Sequence, residues 1–209
     1  MAVYNRGIPG KAPPFLFIHI YRTGGTSLRS MLVSRHWGRQ SREIHGSHPL
    51  ARDVKNHMAK AEFDQAFKFS FIRNPFDWLV SIYSYIRQVP SHPDHATVTP
   101  MEFPEFVRWW CHDMMKRDYI YGTNGCTTLT GFLTDTDGSC LVDYIGRMER
   151  FDTDAAEVAE RIGFGPDFQV PHLNKARRSS TYRSRYDATA HEIAEEAFAE
   201  DLLRFNYQF

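Results

Sequence analysis

Cysteine is scarce in this chain, which has only three among its 209 residues. Cys111, Cys126 and Cys140 are odd in number and widely spaced, which fits reduced thiols in a cytoplasm better than a disulfide framework or a zinc site. The sequence also lacks a signal peptide and any apolar run of about 18 residues, the length that marks a membrane-spanning helix. We therefore expect a cytoplasmic protein without a membrane span.

A charge excess of either sign is absent as well, because 25 Lys and Arg residues balance 25 Asp and Glu residues. A neutral chain does not offer a broad surface for a nucleic-acid polymer, so any anion site must be a local concentration of basic residues. His92 and His95 lie in a proline-rich loop without cysteines or carboxylates at convincing ligand spacing. No metal site is therefore predicted.

A glycine-rich loop follows the first apolar segment of the chain. The strand-like run FLFIHI (15–20) is followed closely by RTGGTS (22–27). Glycine lets the backbone approach an anion, and a helix capped by Thr26 or Ser27 would add the positive end of its dipole. The pattern predicts a phosphate-binding loop formed by Arg22, Thr23, Gly24, Gly25, Thr26 and Ser27.

This loop lacks the lysine that a Walker A motif places between its second glycine and its hydroxyl residue. Its only cation, Arg22, precedes the glycines, where it could reach an oxygen that bridges two groups of a nucleotide. Arginine is effectively never deprotonated, so it would stabilise charge and would hardly act as an acid. A P-loop nucleotide kinase is therefore disfavoured, and it stays the second candidate among enzymes.

A second anion site is predicted where the strand 67–72 meets a helix. Asn74 is a candidate N-cap for the helix 75–88. Arg73 thus comes at the carboxyl end of a strand, the edge at which open α/β sheets bind ligands. Ser81 lies about two turns into the helix, within reach of an arginine and one phosphate. The alternative is that Arg73 pairs with a carboxylate and Ser81 is simply exposed.

Together these motifs resemble the sulfotransferases that use 3′-phosphoadenosine 5′-phosphosulfate (PAPS), in particular the carbohydrate type that includes heparan sulfate 2-O- and 6-O-sulfotransferases and small bacterial enzymes. The family's HIPKTGGTS loop corresponds to HIYRTGGTS (19–27), and its R-[ND]-P-x-x-R-x-x-S-x-Y segment to RNPFDWLVSIY (73–83). Three further stretches match the family: YIGRMERF (144–151), PHLNKARRSSTYRSRY (171–186) and EDLLRFNY (200–207). The resemblance implies transfer of a sulfuryl group from PAPS to a hydroxyl, without a metal.

The resemblance also assigns roles to the two anion sites. The loop 22–27 would hold the 5′-phosphosulfate, and Arg73 and Ser81 would hold the 3′-phosphate. Arg22 stands where the family usually has Lys, and Tyr21 where it usually has Pro. Since the leaving phosphate is already a good anion, we expect the charge of Arg22 to suffice for stabilising it.

A base for the acceptor's proton must come from another part of the chain. The stretch EIHGSHPLARDV (43–54) offers His45 and His48 between the two anion sites. His48 matches the position of the family's catalytic histidine and is preferred, with His45 as the alternative. If neither acts, the chain would be a catalytically silent nucleotide-binding protein.

Arg177, Arg178 and Tyr182 belong to a late basic and aromatic loop. This loop could form a lid over the adenine nucleotide, and a solvated charge run is an almost equal alternative. His172, just before it, could border the active site.

By elimination, the aromatic segment 102–121 is the predicted acceptor wall. Trp109 and Trp110 cannot face the same way on a helix, so one is expected in the core and the other could stack on a sugar ring. The equal alternative is that both are packing residues. Since the chain has no net positive charge, we expect a neutral or weakly charged acceptor, such as an oligosaccharide or a hydroxylated natural product.

The order of the predicted elements indicates an α/β fold. Strands are expected at 15–20, 67–72 and 141–148, and helices at 27–35, 49–60, 75–88, 104–116, 153–162 and after a capping box of Thr189 and Glu192. This order predicts a central parallel sheet flanked by helices, with a P-loop-like nucleotide site. We expect one domain, residues 15–209, after an N-terminal extension of residues 1–14.

Overall fold

Five strands form the central sheet. The computed structural model describes residues 2–7, 12–32, 41–44, 48–114, 127–164 and 182–209. The strands are β1 (Ala2–Asn5), β2 (Phe15–Ile18), β3 (Ser41–Ile44), β4 (Phe67–Ile72) and β5 (Tyr144–Arg147). Their spatial order is β3-β1-β2-β4-β5, so the chain leaves and re-enters the sheet several times, as in other α/β domains.

Helices separate most of the strands. They are α1 (Gly25–Leu32), α2 (Ala51–His57), α3 (Lys60–Gln65), α4 (Pro75–Gln88), α5 (His95–Val98), α6 (Phe103–His112), α7 (Leu129–Leu133), α8 (Phe151–Arg161), α9 (Ala188–Ala197) and α10 (Ala199–Phe205). The bounds of β4 and α4 are those predicted. The predicted helix 49–60 is wrong as one element, since α2 ends where Met58 takes an extended backbone.

The last predicted helix also differs from the structure. It is divided at Phe198 into α9 and α10. The cap of α9 is Asp187, whose side chain accepts a hydrogen bond from the backbone N–H of Ala190 at 2.7 Å. The predicted capping box of Thr189 and Glu192 is therefore wrong, because an aspartate two residues earlier already accepts from the first turn.

The sheet is mixed, which corrects the prediction of a wholly parallel sheet. β2, β4 and β5 are parallel to one another as predicted, whereas β1 runs antiparallel to both β2 and β3. β1 comes from the segment 1–14 that the sequence analysis set apart as an extension. An antiparallel strand can join its neighbour without a helical crossover. The alternation of helices and strands on which the prediction rests therefore does not reveal β1.

The two faces of the sheet are covered by different helices. On β2, Phe15 and Phe17 face one cluster while Leu16 and Ile18 face the other, and all are almost fully buried. The first cluster includes residues of α1 and α8. The second includes α4, α6 and α9. Burial on both faces explains why β2 reads as a continuous apolar run rather than an alternating one.

A buried carboxylate joins α10 to α7. Asp201, with 1% of its surface exposed, accepts hydrogen bonds from the backbone N–H groups of Leu129 at 2.8 Å and Thr130 at 2.7 Å. These N–H groups belong to the first turn of α7, where no intrahelical acceptor exists. Asp201 therefore links the C-terminal helices to the rest of the domain.

We predict that Asp201→Ala lowers the free energy of unfolding by about 1–3 kcal/mol, because it leaves two buried donors unpaired. Chemical denaturation measures the change. The neighbouring Glu200→Ala is the control: Glu200 is exposed and pairs with Arg204, so its loss should cost less than about 1 kcal/mol. Equal effects of the two substitutions would contradict the proposed linkage.

Candidate functional site

The glycine-rich loop connects the end of β2 to α1 through a sharp turn. Arg22 and Gly24 have φ angles of 62° and 81°, in the left-handed region that favours glycine. The carbonyl of Gly24 accepts hydrogen bonds from the N–H groups of Ser27 at 3.1 Å and Leu28 at 3.3 Å. The helix thus begins at Gly25, and the expectation that Thr26 or Ser27 caps it is wrong, because Gly24 already provides the turn.

Close packing explains why both glycines are needed. A Cβ on Gly24 would lie 2.6 Å from Met148 Sδ, and one on Gly25 would lie 1.7 Å from His19 Nε2. Thr23 is also committed to the loop, since its Oγ1 donates to the carbonyl of Ile20 at 2.8 Å. Close packing and this hydrogen bond therefore hold the backbone of the turn in its position.

Arg22 extends from this loop to α4. Its Nε donates to Ser81 Oγ at 3.2 Å, and its Cζ lies 4.6 Å from the centroid of the Tyr85 ring. Ser81 and Tyr85 lie one turn apart on α4. Burial lowers the pKa of Arg22, and the positive charge of Arg73 lowers it further. The two arginines are thus close enough to repel each other.

Arg73 lies at the end of β4 and pairs with Asp77 in the first turn of α4. Its Nε and one terminal nitrogen both lie 2.7 Å from Asp77 Oδ2. The first part of the alternative interpretation, that Arg73 pairs with a carboxylate, is confirmed. Its second half is wrong, since Ser81 is buried and bonded to Arg22. Sequence reasoning missed Asp77, although a carboxylate one turn after an arginine signals such a pair.

The turn between β4 and α4 is held from several sides. The predicted cap is confirmed, since Asn74 Oδ1 accepts from the N–H of Phe76 at 3.0 Å. The backbone N–H of Asn74 donates to Glu149 Oε1 at 2.7 Å, and its Nδ2 donates to the carbonyl of Gln208 at 2.8 Å. The other oxygen of Glu149 accepts from Tyr207 Oη at 3.0 Å. Glu149, with Tyr207 bonded to it, therefore supports the turn that carries Arg73.

His48 lies beside the first loop. The centroid of its ring is 4.8 Å from that of His19 and 5.5 Å from that of Tyr21. Burial, together with the neighbouring His48, lowers the pKa of His19 well below its ordinary value. His19 is therefore neutral at neutral pH, and it adds no positive charge next to His48. His45, the alternative, lies outside the described residues.

Two tryptophans on α6 differ in exposure. Trp110 is completely buried, which makes it a core residue and corrects its assignment to the acceptor wall. Trp109 is half-buried, with its ring 6.0 Å from that of Phe106. The expectation that one of the two lies in the core is confirmed.

The predicted lid is described only in part. Tyr182 lies close to the β4–α4 turn, with its hydroxyl 3.5 Å from Asn74 Nδ2. His172, Arg177 and Arg178 lie outside the described residues. In the parts of the chain that the structure describes, no group of three His, Cys, Asp or Glu side chains could hold a metal ion. No helix described there is both long and apolar enough to cross a membrane.

Comparison with known proteins gives one family and one relative. The model of the sulfotransferase family matches residues 11–208, a range that includes the glycine-rich loop, α4 and the C-terminal helices. A protein of Archaeoglobus fulgidus described as uncharacterized is 28% identical over 117 residues, which cover 56% of this chain and 84% of the relative.

We predict that Gly25→Ala destabilises the protein by about 1–3 kcal/mol, because the new methyl group overlaps the His19 ring. In the double variant Gly25→Ala/His19→Ala the overlap is removed, so the two changes should cost less together than the sum of their separate costs. Chemical denaturation measures the free energy of unfolding of the two single variants and of the double variant. Simple additivity would show that His19 does not pack against the loop.

Proposed function

Because the chain belongs to the sulfotransferase family, we propose that it transfers the sulfuryl group of PAPS to a hydroxyl of a carbohydrate or small hydroxylated acceptor. The observation that carries the proposal is the hydrogen bond between Arg22 and Ser81 beside a glycine-rich turn, at a place where the positive charge of Arg73 acts on Arg22. Two like charges held this close in a protein of zero net charge are unfavourable by themselves. An anion between them would relieve the repulsion.

The donor would occupy both anion sites at once. The turn 22–27 and the N–H groups at the start of α1 hold the 5′-phosphosulfate, in the manner of a P-loop whose cation precedes its glycines. Arg73 and Ser81 hold the 3′-phosphate. Asp77 orients Arg73 by taking its Nε–H and one terminal N–H, which leaves further donors of the guanidinium for the phosphate. Arg177, Arg178 and Tyr182 are proposed to cover the nucleotide.

Transfer is proposed to proceed by in-line displacement. The acceptor oxygen attacks sulfur while His48 takes its proton, and the bond between sulfur and the 5′-phosphate oxygen breaks. Arg22 stabilises the negative charge on the departing oxygen without giving up a proton. The position of His48 beside the turn supports its role, and the neutral state of His19 helps, because a cation there would weaken the base.

For the acceptor, the half-buried Trp109 is the proposed contact, together with His172. A screen of hydroxylated compounds with PAPS, read by mass spectrometry as the gain of one sulfuryl group, tests the function. We expect neutral or weakly charged acceptors to react. Strong transfer to heparan-type polymers and none to small neutral compounds would overturn this choice of acceptor. Nucleotide binding without any transfer would instead indicate a catalytically silent protein.

We predict that the protein binds 3′-phosphoadenosine 5′-phosphate (PAP) more tightly than 5′-AMP, by roughly 10- to 100-fold, because Arg73 and Ser81 contact the additional phosphate. Isothermal titration calorimetry without magnesium measures both affinities. Arg73→Ala should remove most of the preference.

The control for this prediction is Arg73→Ala/Asp77→Ala, since the single change leaves the carboxylate of Asp77 without its partner. If Arg73 binds the phosphate, the double variant also lacks the preference. If the single variant fails only because the bare carboxylate repels the nucleotide, the double variant recovers it. Equal affinity of the unsubstituted protein for the two nucleotides would refute the 3′-phosphate site.

We predict that His48→Ala lowers kcat by roughly 10²- to 10⁴-fold and leaves PAP affinity nearly intact, since a general base acts on the acceptor. Arg22→Ala should lower kcat by roughly 10²- to 10³-fold, and Arg22→Lys, which keeps the charge, should retain much more activity than Arg22→Ala. Steady-state kinetics with an acceptor from the screen decides. Normal turnover in His48→Ala with an inactive His45→Ala would assign the base to His45.

A further inference from the structure

An exposed aromatic ring lies against the arginine of the first loop. Tyr85 is 38% exposed. Among the residues that the structure describes, one other large hydrophobic side chain, Leu203, is exposed as well. The Tyr85 ring therefore contributes little to the core. The guanidinium of Arg22 lies over one face of this ring, with Cζ 4.6 Å from the centroid, which is within the range of a cation–π contact.

We propose that Tyr85 is a positioning residue that fixes the guanidinium of Arg22 toward the bound anion. The inference rests on the role proposed above for Arg22. The side chain of Arg22 is held at two places, by the hydrogen bond from Nε to Ser81 Oγ and by the ring of Tyr85. Within the described residues its terminal nitrogens make no hydrogen bond, so their N–H groups stay available to an anion.

Repulsion makes such a contact necessary. The positive charge of Arg73 acts against the cation of Arg22, and the side chain of Arg22 starts from a left-handed backbone. Without a second contact, the guanidinium could swing toward solvent and away from Arg73. The negative face of the Tyr85 ring opposes this movement, since it attracts the guanidinium that lies over it.

The contact suits an arginine better than a lysine. A guanidinium is planar and weakly hydrated, so it can lie flat on a ring, whereas an ammonium is a compact and strongly hydrated charge. Tyr85 thus gives a physical reason why this chain functions with Arg22 at its loop.

The ring of Tyr85 is itself supported. His92, in the turn after α4, meets it edge to face with centroids 5.8 Å apart, and His92 Nδ1 accepts from the backbone N–H of Asp94 at 3.2 Å. Burial lowers the pKa of His92, which favours the neutral form beside the Tyr85 ring. The histidine that offered no metal site in the sequence therefore has a packing role here.

The test compares Tyr85→Phe, which keeps an aromatic face, with Tyr85→Leu, which keeps an apolar side chain without one. The NMR chemical shift of the Arg22 Nε–H group is displaced by the ring current of Tyr85 and so reports the contact. The Arg22 signal is identified as the one that disappears in Arg22→Lys. We expect Tyr85→Phe to preserve the shift and the affinity for PAP. Tyr85→Leu should abolish the shift and weaken PAP binding by roughly two- to fivefold.

Tyr144→Leu is the matched control. It removes another arginine–tyrosine contact, since the Cζ of Arg161 lies 5.0 Å from the centroid of the Tyr144 ring. Tyr144 is the first residue of β5, whereas Arg73 follows the last residue of the parallel strand β4, so the two lie toward opposite edges of the sheet. The Arg22 signal and PAP affinity should not change. In an Arg22→Lys background, Tyr85→Leu should have a smaller effect on PAP binding than it has beside Arg22.

An unchanged Arg22 signal or unchanged PAP affinity in Tyr85→Leu overturns the inference. An equal loss in Tyr85→Phe and Tyr85→Leu also overturns it, since the hydroxyl and not the ring would then matter. A protein that binds no PAP before substitution contradicts the proposed function instead, and the NMR comparison still decides whether Tyr85 holds Arg22.

Discussion

β2 and β4 lie side by side and run in the same direction, with Phe15 opposite Phe67 and Ile18 opposite Ser70. Because they are parallel and in register, the segments that follow them leave the sheet at the same edge. One segment is the glycine-rich turn and the other carries Arg73. The glycine-rich turn and Arg73 are separated by about fifty residues in sequence. This one pairing makes them neighbours, and the hydrogen bond between Arg22 and Ser81 adds a further contact.

Charge at the site is balanced by few groups. Among the described residues, Arg22 and Arg73 bring two positive charges, and Asp77 pairs with Arg73. Glu149 accepts from the N–H of the next residue, Asn74. The nearby His19 is kept neutral by burial, and the positive charges are concentrated at one place although the chain as a whole is neutral. Such an arrangement favours a small multiply charged ligand over an extended polyanion, because the attraction is confined to one edge of the sheet.

Local signals were sufficient for the elements that carry the site. The bounds of β4 and α4 follow from an apolar run, an asparagine cap and Pro75, each of which acts within a few residues. The glycine-rich turn and the order of motifs led to the family that the comparison then showed. A pairing of Arg73 with a carboxylate stays an open alternative at the level of the sequence, because a single sequence does not say whether an arginine at a helix start binds its neighbour or a ligand.

By itself, therefore, the sequence determined the bounds of β4 and α4, the phosphate-loop pattern and the family. Only the tertiary structure decided that β1 joins the sheet antiparallel, that Trp110 is fully buried and Trp109 half-buried, and that Tyr85 lies under Arg22. The physical reason is the range of the interactions. Capping, turns and periodicity act between residues close in sequence, whereas strand pairing, burial and ring stacking depend on which distant segments the fold brings together.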